Sequence, residues 1–395
     1  MAATPVMTDT QRRARLASRH LLSSPEADPL AITSALVALH STDPASVHLS
    51  VAARGCPPAN GALNAALYED RTLVRMLGMR RTMFVVRTDF APVVHAAATR
   101  AVAERERTRL IGFIEASGLA KDGQKFLVRL ENATMEALAD RGEAYGTELG
   151  DAVPGLRQQI EIGGGMHSMT TRVLFILAAE GRIVRGRPKG SWISSQYSWS
   201  PAPKPPATTT ELPTAVAQAE LVRAYLAAYG PATAADIQWW TGWTAGVTKR
   251  ALEQVATLAV QIGEKSAGFV LADDDPSEDP PPPKPRARLL PALDPSVMGW
   301  TGRAFYLDPE HRDHTHEAAL FDRSGNPGPT VWWGGRIVGG WAQRKDGQVV
   351  FRLLADIGKE GTANVESEAA RTAEFFGGVR VTPRFRTALE RSLVS

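Results

Sequence analysis

Hydrophobic positions first recur at helical spacing. Ala14, Leu16, Leu21 and Leu22 share one helix face, and Leu30, Ile32, Ala35, Leu36 and Leu39 share another. Asp43-Pro44 then supplies a helix start, because an Asp side chain caps free backbone N–H groups and Pro at the first helical position loses no hydrogen bond. The next helix carries Val47, Val51 and Ala52, and a short one carries Leu63, Ala66 and Leu67. From Leu73 to Val86 the period falls to two around Gly78, which predicts a hairpin. Helices followed by a hairpin predict a winged helix.

The same order is predicted twice more. Leu130 to Arg141, Thr147 to Pro154 and Thr170 to Glu180 read as helices, and Gly181 to Ser194 as a hairpin whose tip is Arg185-Gly186-Arg187-Pro188-Lys189-Gly190. Ala219 to Tyr229 is a helix stopped by Gly230-Pro231. The chain after it reads as two more helices and the strand pair LAVQIG and GFVLAD. The C-terminal stretch differs. ARLLPALDP, RAFYLD, AALFDR, PTVWWGGRIVGGWAQR and QVVFRLLAD alternate as strands, GKEGTANVESEAARTAEFF reads as one helix, and VRVTPRF as a last strand. The expectation is an α+β chain: three tandem winged-helix units plus a small C-terminal β-barrel with a covering helix.

Two segments punctuate this order. Ser200 to Pro213 is rich in Pro and Thr, and Asp273 to Arg286 is acidic and then Pro-rich. Both read as linkers that bury too little apolar surface to order themselves. The expected domains are residues 1–110, 111–199, 214–272 and 287–395.

Composition narrows the class. At 44% hydrophobic and 22% charged residues the 395-residue chain is ordinary globular material. No apolar run approaches the roughly 20 residues of a membrane span. The first 20 residues hold no apolar core of a secretory signal, so a cytoplasmic, nucleoid-associated location is expected. One cysteine, Cys56, excludes an internal disulfide and a cysteine zinc cluster.

Charge is uneven. The formal net charge is +3, yet Arg71 to Arg109 holds nine Arg against Asp89, Glu104 and Glu106, and Arg172 to Lys204 holds six basic residues against Glu180. The balancing acid includes Asp273, Asp274, Asp275, Glu278 and Asp279. Basic patches on a near-neutral whole point to a polyanion surface or to a solvated arginine face. Candidate phosphate contacts are Arg75, Arg80 and Arg81 on the first wing and Arg185, Arg187 and Lys189 on the second. Arg172, at a helix start, extends the same surface.

Other features carry less. His311, His314 and His316 have imidazole spacing able to reach a metal, but HRDHTHEAALFD reads as a polar loop, so no metal or cofactor is expected. Trp239, Trp240, Trp243, Trp332, Trp333 and Trp341 read as core residues rather than base-stacking platforms. Gly163-Gly164-Gly165 reads as a flexible loop. His48 reads as a surface residue.

Several long stretches carry a family resemblance: LVALHSTDPASVHLSVAAR, RRTMFVV, RVLFILAAEGRIVRGRPKGSW, GPATAADIQWWTGWT, LLPALDPSVMGW and GNPGPTVWWGGRIVGGWAQR. The chain resembles the winged-helix DNA-binding-domain-containing proteins of actinobacteria over essentially its whole length. The wider superfamily includes the AlkZ- and YcaQ-type DNA glycosylases, which resist azinomycin-like alkylators and unhook crosslinks. The resemblance implies a C-shaped scaffold with double-stranded DNA in its channel, working as a monomer.

Those glycosylases carry Gln-x-Gln or Gln-x-Asp just before an Asp-Pro. Here the aligned stretch is His40-Ser41-Thr42-Asp43-Pro44, so His40 and Thr42 stand where the family has its two catalytic positions. The family's Arg-Gly-Thr-Leu-His stretch corresponds to Arg81-Thr82-Met83-Phe84, with Phe84 at the histidine. An alkylated N7 or N3 purine already carries positive charge and leaves without a general acid, so a side chain that orients water suffices. His40 can accept a water proton, Thr42 can hold the water and Asp43 can stabilise sugar charge. Asp43 also reads as a plain helix cap. Two functions therefore stand open: a monofunctional glycosylase for alkylated or bulky purines, and a non-catalytic DNA-binding lesion sensor or regulator.

Overall fold

The computed structural model describes residues 4–55, 61–202, 212–263, 266–276 and 284–395. Cys56, and with Glu278 and Asp279 the stretches 203–211 and 277–283 of the expected linkers, lie outside the described residues.

A two-residue strand β1 (Val6–Met7) leads into α1 (Asp9–Arg19), which begins with a reciprocal cap between Thr8 and Gln11. The first unit follows: α2 (Pro29–Ala35), β2 (Leu39–His40), α3 (Pro44–Ala53), α4 (Ala62–Asn64) continuing as a π-helical turn (Ala65–Glu69), then β3 (Leu73–Leu77) and β4 (Met83–Arg87). Asp28 and Asp43 cap α2 and α3, each followed by Pro at the first helical position. The strands form an antiparallel sheet in the order β2-β4-β3 over a core of Ile32, Leu39, Val47, Val51, Leu73 and Val85.

A connection absent from the sequence reading comes next: α5 (Ala91–Val94), a π-helical turn (His95–Thr99) and α6 (Arg100–Ala116). α6 buries only Val102, Ala103, Leu110 and Ile114, too few to stand out among its charges.

The second unit repeats the first: α7 (Gly123–Arg141), β5 (Ala144–Tyr145), α8 (Gly146–Ala152), the hairpin β6 (Gln159–Ile162) and β7 (Gly165–Ser168), α9 (Met169–Ala179), β8 (Ile183–Pro188) and β9 (Tyr197–Pro201). Its sheet runs β5-β9-β8. Two expectations change here. Gly163 and Gly164, at φ of 61° and 80°, form the tight turn between β6 and β7 instead of a flexible loop, a conformation that favours glycine. The long hairpin returns at Tyr197, not before Ser194, so Arg185 and Arg187 lie within β8 and only Lys189 and the residues after it form the tip.

The third unit is α10 (Thr214–Tyr229), α11 (Ala234–Thr241), α12 (Ala245–Glu253), β10 (Thr257–Ile262) and β11 (Ser266–Leu271). A bridge between Ala232 and Phe269 takes the place of the short first strand, and β1 adds to β10 in parallel. Helices followed by a hairpin thus recur three times, with β6 and β7 inserted in the second unit and a bridge for the first strand in the third. The start of the second expected linker is tied down: Asp274 accepts from Arg15 (2.6 Å) and Arg19 (2.8 Å) of α1.

The C-terminal part contains β12 (Arg288–Leu290), β13 (Thr330–Trp333), β14 (Arg336–Gln343) and β15 (Val349–Leu353), an antiparallel sheet in that order. α13 (Gly358–Phe376) covers it as expected, and α14 (Ala388–Val394) packs on β14. The expected barrel does not form among the described residues, where β12 and β15 remain separate edges. The strands needed to close it are missing. RAFYLD and AALFDR are irregular chain that buries Phe305, Tyr306 and Phe321, and VRVTPRF is irregular around Pro383, which has no N–H for a ladder.

One large core joins α1, the third unit and the C-terminal part through Tyr225, Tyr229, Trp240, Trp300, Tyr306 and Trp332. Trp341 is also buried, while Trp239, Trp243 and Trp333 are half-buried. His48, expected at the surface, is buried against Trp192 with ring centroids 5.2 Å apart. No helix among the described residues is long and apolar enough to cross a membrane.

Beside this core sits an ion pair with no solvent exposure. Arg54, just after α3, binds Asp294 through Nη2–Oδ1 (2.8 Å) and Nη1–Oδ2 (2.9 Å). Ser50 Oγ and Ser296 N donate to the same carboxylate, and Arg54 Nε donates to the His20 carbonyl.

Removing one partner leaves the other charge buried alone, so Asp294→Ala is expected to cost about 3–5 kcal/mol. Thermal unfolding checks this, and an unchanged Tm refutes it. Acid should destabilise the fold early. Burial lowers the pKa of His20 and His48 to about 3 and of His40 to about 4. The unfolded chain takes up these protons first, near pH 6.5, so stability is present above about pH 6.5 and is lost as pH falls toward about 4. A Tm that stays level across that window rules the expectation out.

Candidate functional site

Strand pairing fixes the start of the motif. His40 lies opposite Phe84, and Ser41 N donates to the Met83 carbonyl (2.8 Å). The His40 ring is buried edge-on to Phe84, with centroids 5.0 Å apart. Its Nδ1 is buried and has no hydrogen-bond partner. Burial, and secondarily Arg80, lowers its pKa to about 4, so the imidazole is neutral at physiological pH. Thr42 Oγ1 is likewise buried without a partner.

Asp43 differs. Its Oδ1 accepts from Ala45 N (3.1 Å) and its Oδ2 from Arg384 N (3.0 Å). The carboxylate therefore caps α3 and ties the chain between α13 and α14 to it. A cleft of only about 20 Å³ lies beside Asp43.

A much larger cavity, about 990 Å³, opens between β3 and the second unit. Met76, Leu77, Met83, Leu174, Phe175 and Val184 line it, with Arg75, Arg185, Lys189 and Tyr197 among its polar residues. His40, Thr42 and Asp43 are not in its wall. The link between motif and cavity is Ser41, whose Oγ accepts from Arg75 Nη1 (2.7 Å).

The predicted cationic residues separate into two groups. Arg75 is not on an exposed wing: it is buried in β3, with Cζ 4.6 Å from the centroid of the Tyr197 ring. Arg185 is not at a tip: it lies half-buried in β8 over Tyr197 (5.4 Å) and Trp199 (5.1 Å). Burial, then the neighbouring Arg75, lowers the Arg185 pKa to about 10. Cross-strand packing put both there, because β3 and β8 face each other where the two units meet.

The others are more accessible. Arg80 and Arg81 form the turn from β3 to β4, both at left-handed φ (53° and 57°), which is uncommon away from glycine. Both are exposed; Arg80 lies 4.4 Å from the Trp239 ring, and Arg81 pairs with Glu106 (2.6 Å). Arg187 and Lys189 are exposed, the first paired with Glu69 (2.5 Å) and the second near the Tyr145 ring (5.4 Å). Arg172, in the first half of α9, is half-buried with an unpartnered Nε.

Sequence reasoning missed Ser41, Tyr68, Tyr197 and Arg384. The alternation Tyr197-Ser198-Trp199 was a strand signal there to be read, but Arg384 reaches Asp43 from a distant irregular segment that no local pattern reveals. The rings of His311 and His316 lie 5.7 Å apart, and among the described residues no group of three or more His, Cys, Asp or Glu is arranged to hold a metal.

Comparison with known proteins adds a separate line. A family model described as "DNA glycosylase AlkZ-like" matches residues 33–375. A curated interstrand DNA cross-link repair glycosylase from Streptomyces sahachiroi is 28% identical over 224 residues, which is 54% of this chain and 56% of that protein. The chain thus matches about half the length of that relative. The solved structure of the Streptomyces sahachiroi DNA glycosylase AlkZ is similar at a TM-score of 0.70, over 96% of this chain and 99% of that one, at 21% identity. That likeness is one of fold.

Proposed function

The chain belongs to the AlkZ-like DNA glycosylase family, and from that premise we propose that it hydrolyses the N-glycosidic bond of alkylated or bulky purines in double-stranded DNA. One observation carries the proposal. His40 and Thr42, at the positions that align with the family's catalytic pair, each hold a buried polar atom with no partner. An unsatisfied buried group costs about 1–3 kcal/mol, and two within three residues favour a water-holding role.

In this mechanism the C1′–N9 bond breaks with its electron pair going to the base, and a cationic N7-alkylpurine departs neutral. The water oxygen bonds to C1′ while its proton passes to neutral His40 and on to solvent. Thr42 Oγ1 orients the water. Asp43 holds the motif backbone and adds negative charge near the sugar. No metal or cofactor is invoked, and in this proposal the protein works as a monomer.

The three repeated units act as winged helices around a curved channel. Arg80, Arg81, Arg187, Lys189 and Arg172 form its phosphate-facing wall, with Arg75 and Arg185 set behind.

A second reading has an observation of its own. Phe84 packs on His40, and both Asp43 oxygens are engaged by backbone N–H groups. Both facts suit a non-catalytic lesion sensor or regulator.

Incubation with alkylated duplex, followed by alkaline strand cleavage, separates the two. The wild type is expected to cleave, His40→Ala to lose about 100-fold or more in rate, and Thr42→Val to lose less. The rate should stay level from about pH 8 to about pH 5, because His40 is neutral throughout. Tight binding with no cleavage of any alkylated duplex favours the sensor. For the channel wall, neutralising Arg80, Arg187 or Lys189 should each lower the slope of log affinity against log salt by about 1. A slope that none of the three alters refutes that assignment.

A further inference from the structure

Two like charges meet where the first and second units join. Arg75 and Arg185 both lie against the Tyr197 ring, at 4.6 and 5.4 Å. The acids of the cavity wall are engaged elsewhere: Glu180 pairs with Arg107 (2.7 Å), and Asp151 pairs with Arg157; Asp43, which acts on Tyr197 through its charge, accepts from Ala45 N and Arg384 N. Among the described residues, Arg75 hydrogen-bonds to Ser41, and the Arg185 guanidinium lies against the Tyr197 and Trp199 rings with no hydrogen-bond partner. Burial first, and then the neighbouring Arg75, lowers the pKa of Arg185 to about 10.

A second observation is independent of charge. Tyr197 lines the cavity at 8% exposure, and its hydroxyl is buried with no partner. Arg75 Nε, of the same wall, is buried and unpartnered as well. A group that answers all of these must be negative and rich in acceptor oxygens. A phosphodiester meets both demands and suits the planar donor fork of arginine.

Part of the wall is apolar. It offers sulfur, methyl and ring surface from Met76, Met83, Leu174 and Phe175. A volume of about 990 Å³ is far more than an unmodified base needs, at the upper end of the roughly 300–1,000 Å³ of ligand pockets.

We propose that Arg75, Arg185 and the Tyr197 hydroxyl form a phosphate subsite at the cavity, which receives an extruded nucleotide with its phosphodiester on the two guanidinium groups and its apolar adduct among the Met, Leu and Phe side chains. This rests on the glycosylase reading through Ser41, which joins Arg75 to the stretch carrying His40 and Thr42.

The test uses the full chain and a duplex carrying one N7-benzylated 2′-fluoro-2′-deoxyguanosine, whose glycosidic bond resists hydrolysis. Binding is followed by fluorescence anisotropy against undamaged duplex. Arg185→Met should weaken binding of the modified duplex about tenfold or more, and Tyr197→Phe about threefold or more. Both should keep the wild-type Tm, and Tyr197→Phe should keep the wild-type affinity for undamaged duplex. On a cleavable alkylated duplex, KM should rise while kcat changes little.

If the wild type cleaves and both variants bind the modified duplex normally, the subsite falls and the glycosylase reading survives. If the wild type cleaves nothing yet Arg185→Met loses its preference for the modified duplex, the subsite survives and the glycosylase reading falls. Displacement of the probe by inorganic phosphate at concentrations where undamaged duplex has no effect overturns the assignment to a DNA strand. Binding of a methylated probe more than tenfold tighter than the benzylated one overturns the assignment of the apolar wall to the adduct.

Discussion

The molecule turns on the Arg54–Asp294 ion pair. Both side chains are wholly withdrawn from water, and removing two charges from water is tolerated only when each is fully answered. Here each is answered. The carboxylate receives Arg54, Ser50 and Ser296, and the guanidinium also donates to two backbone carbonyls and to Ser296 Oγ. The pair joins the end of α3 to the loop after β12, and through the His20 carbonyl to the end of α1. A mismatch in any of these segments exposes an uncompensated charge, so they hold one another in register.

That constraint reaches the motif through α3. Arg54 follows its C-terminus and Asp43 precedes its N-terminus, where Asp43 is tied to Arg384. Ser46 donates to the Ala292 carbonyl between them (2.7 Å), and Arg371 of α13 donates to the Ala52 carbonyl (3.1 Å). The C-terminal part thus clamps the motif helix along its length. This gives a physical reason for a sheet with its covering helix to accompany three repeated units: it fixes where His40 and Thr42 stand. A side chain that orients a water works only if its own rotamer and backbone are held.

The contrast with Arg75 and Arg185 is instructive. Both sites bring Arg out of water, but one supplies a carboxylate and three further acceptors while the other supplies a serine, a second cation and aromatic rings. The first arrangement is complete in itself. The second leaves Arg75 Nε and the Tyr197 hydroxyl without partners, and the proposed phosphate would answer them.

Sequence alone determined what depends on neighbours along the chain. The Asp43-Pro44 cap, the three helix-then-hairpin orders, the covering helix α13 and the burial of Trp240, Trp332 and Trp341 all follow from local periodicity and capping chemistry. Position in the motif was legible too, because His40 and Thr42 precede a recognisable helix start. Tertiary structure decided the rest. Whether the C-terminal strands closed into a barrel depended on which distant segments paired, and RAFYLD spent its aromatic rings on the shared core instead of a ladder. Whether an arginine met solvent or a tyrosine ring depended on how β3 and β8 approached, and period-2 alternation is blind to what lies across the interface. Charge can be counted along a sequence, but its compensation is a property of three-dimensional contact, which is why Arg75 and Arg187 read alike in the chain and stand in such different surroundings in the fold.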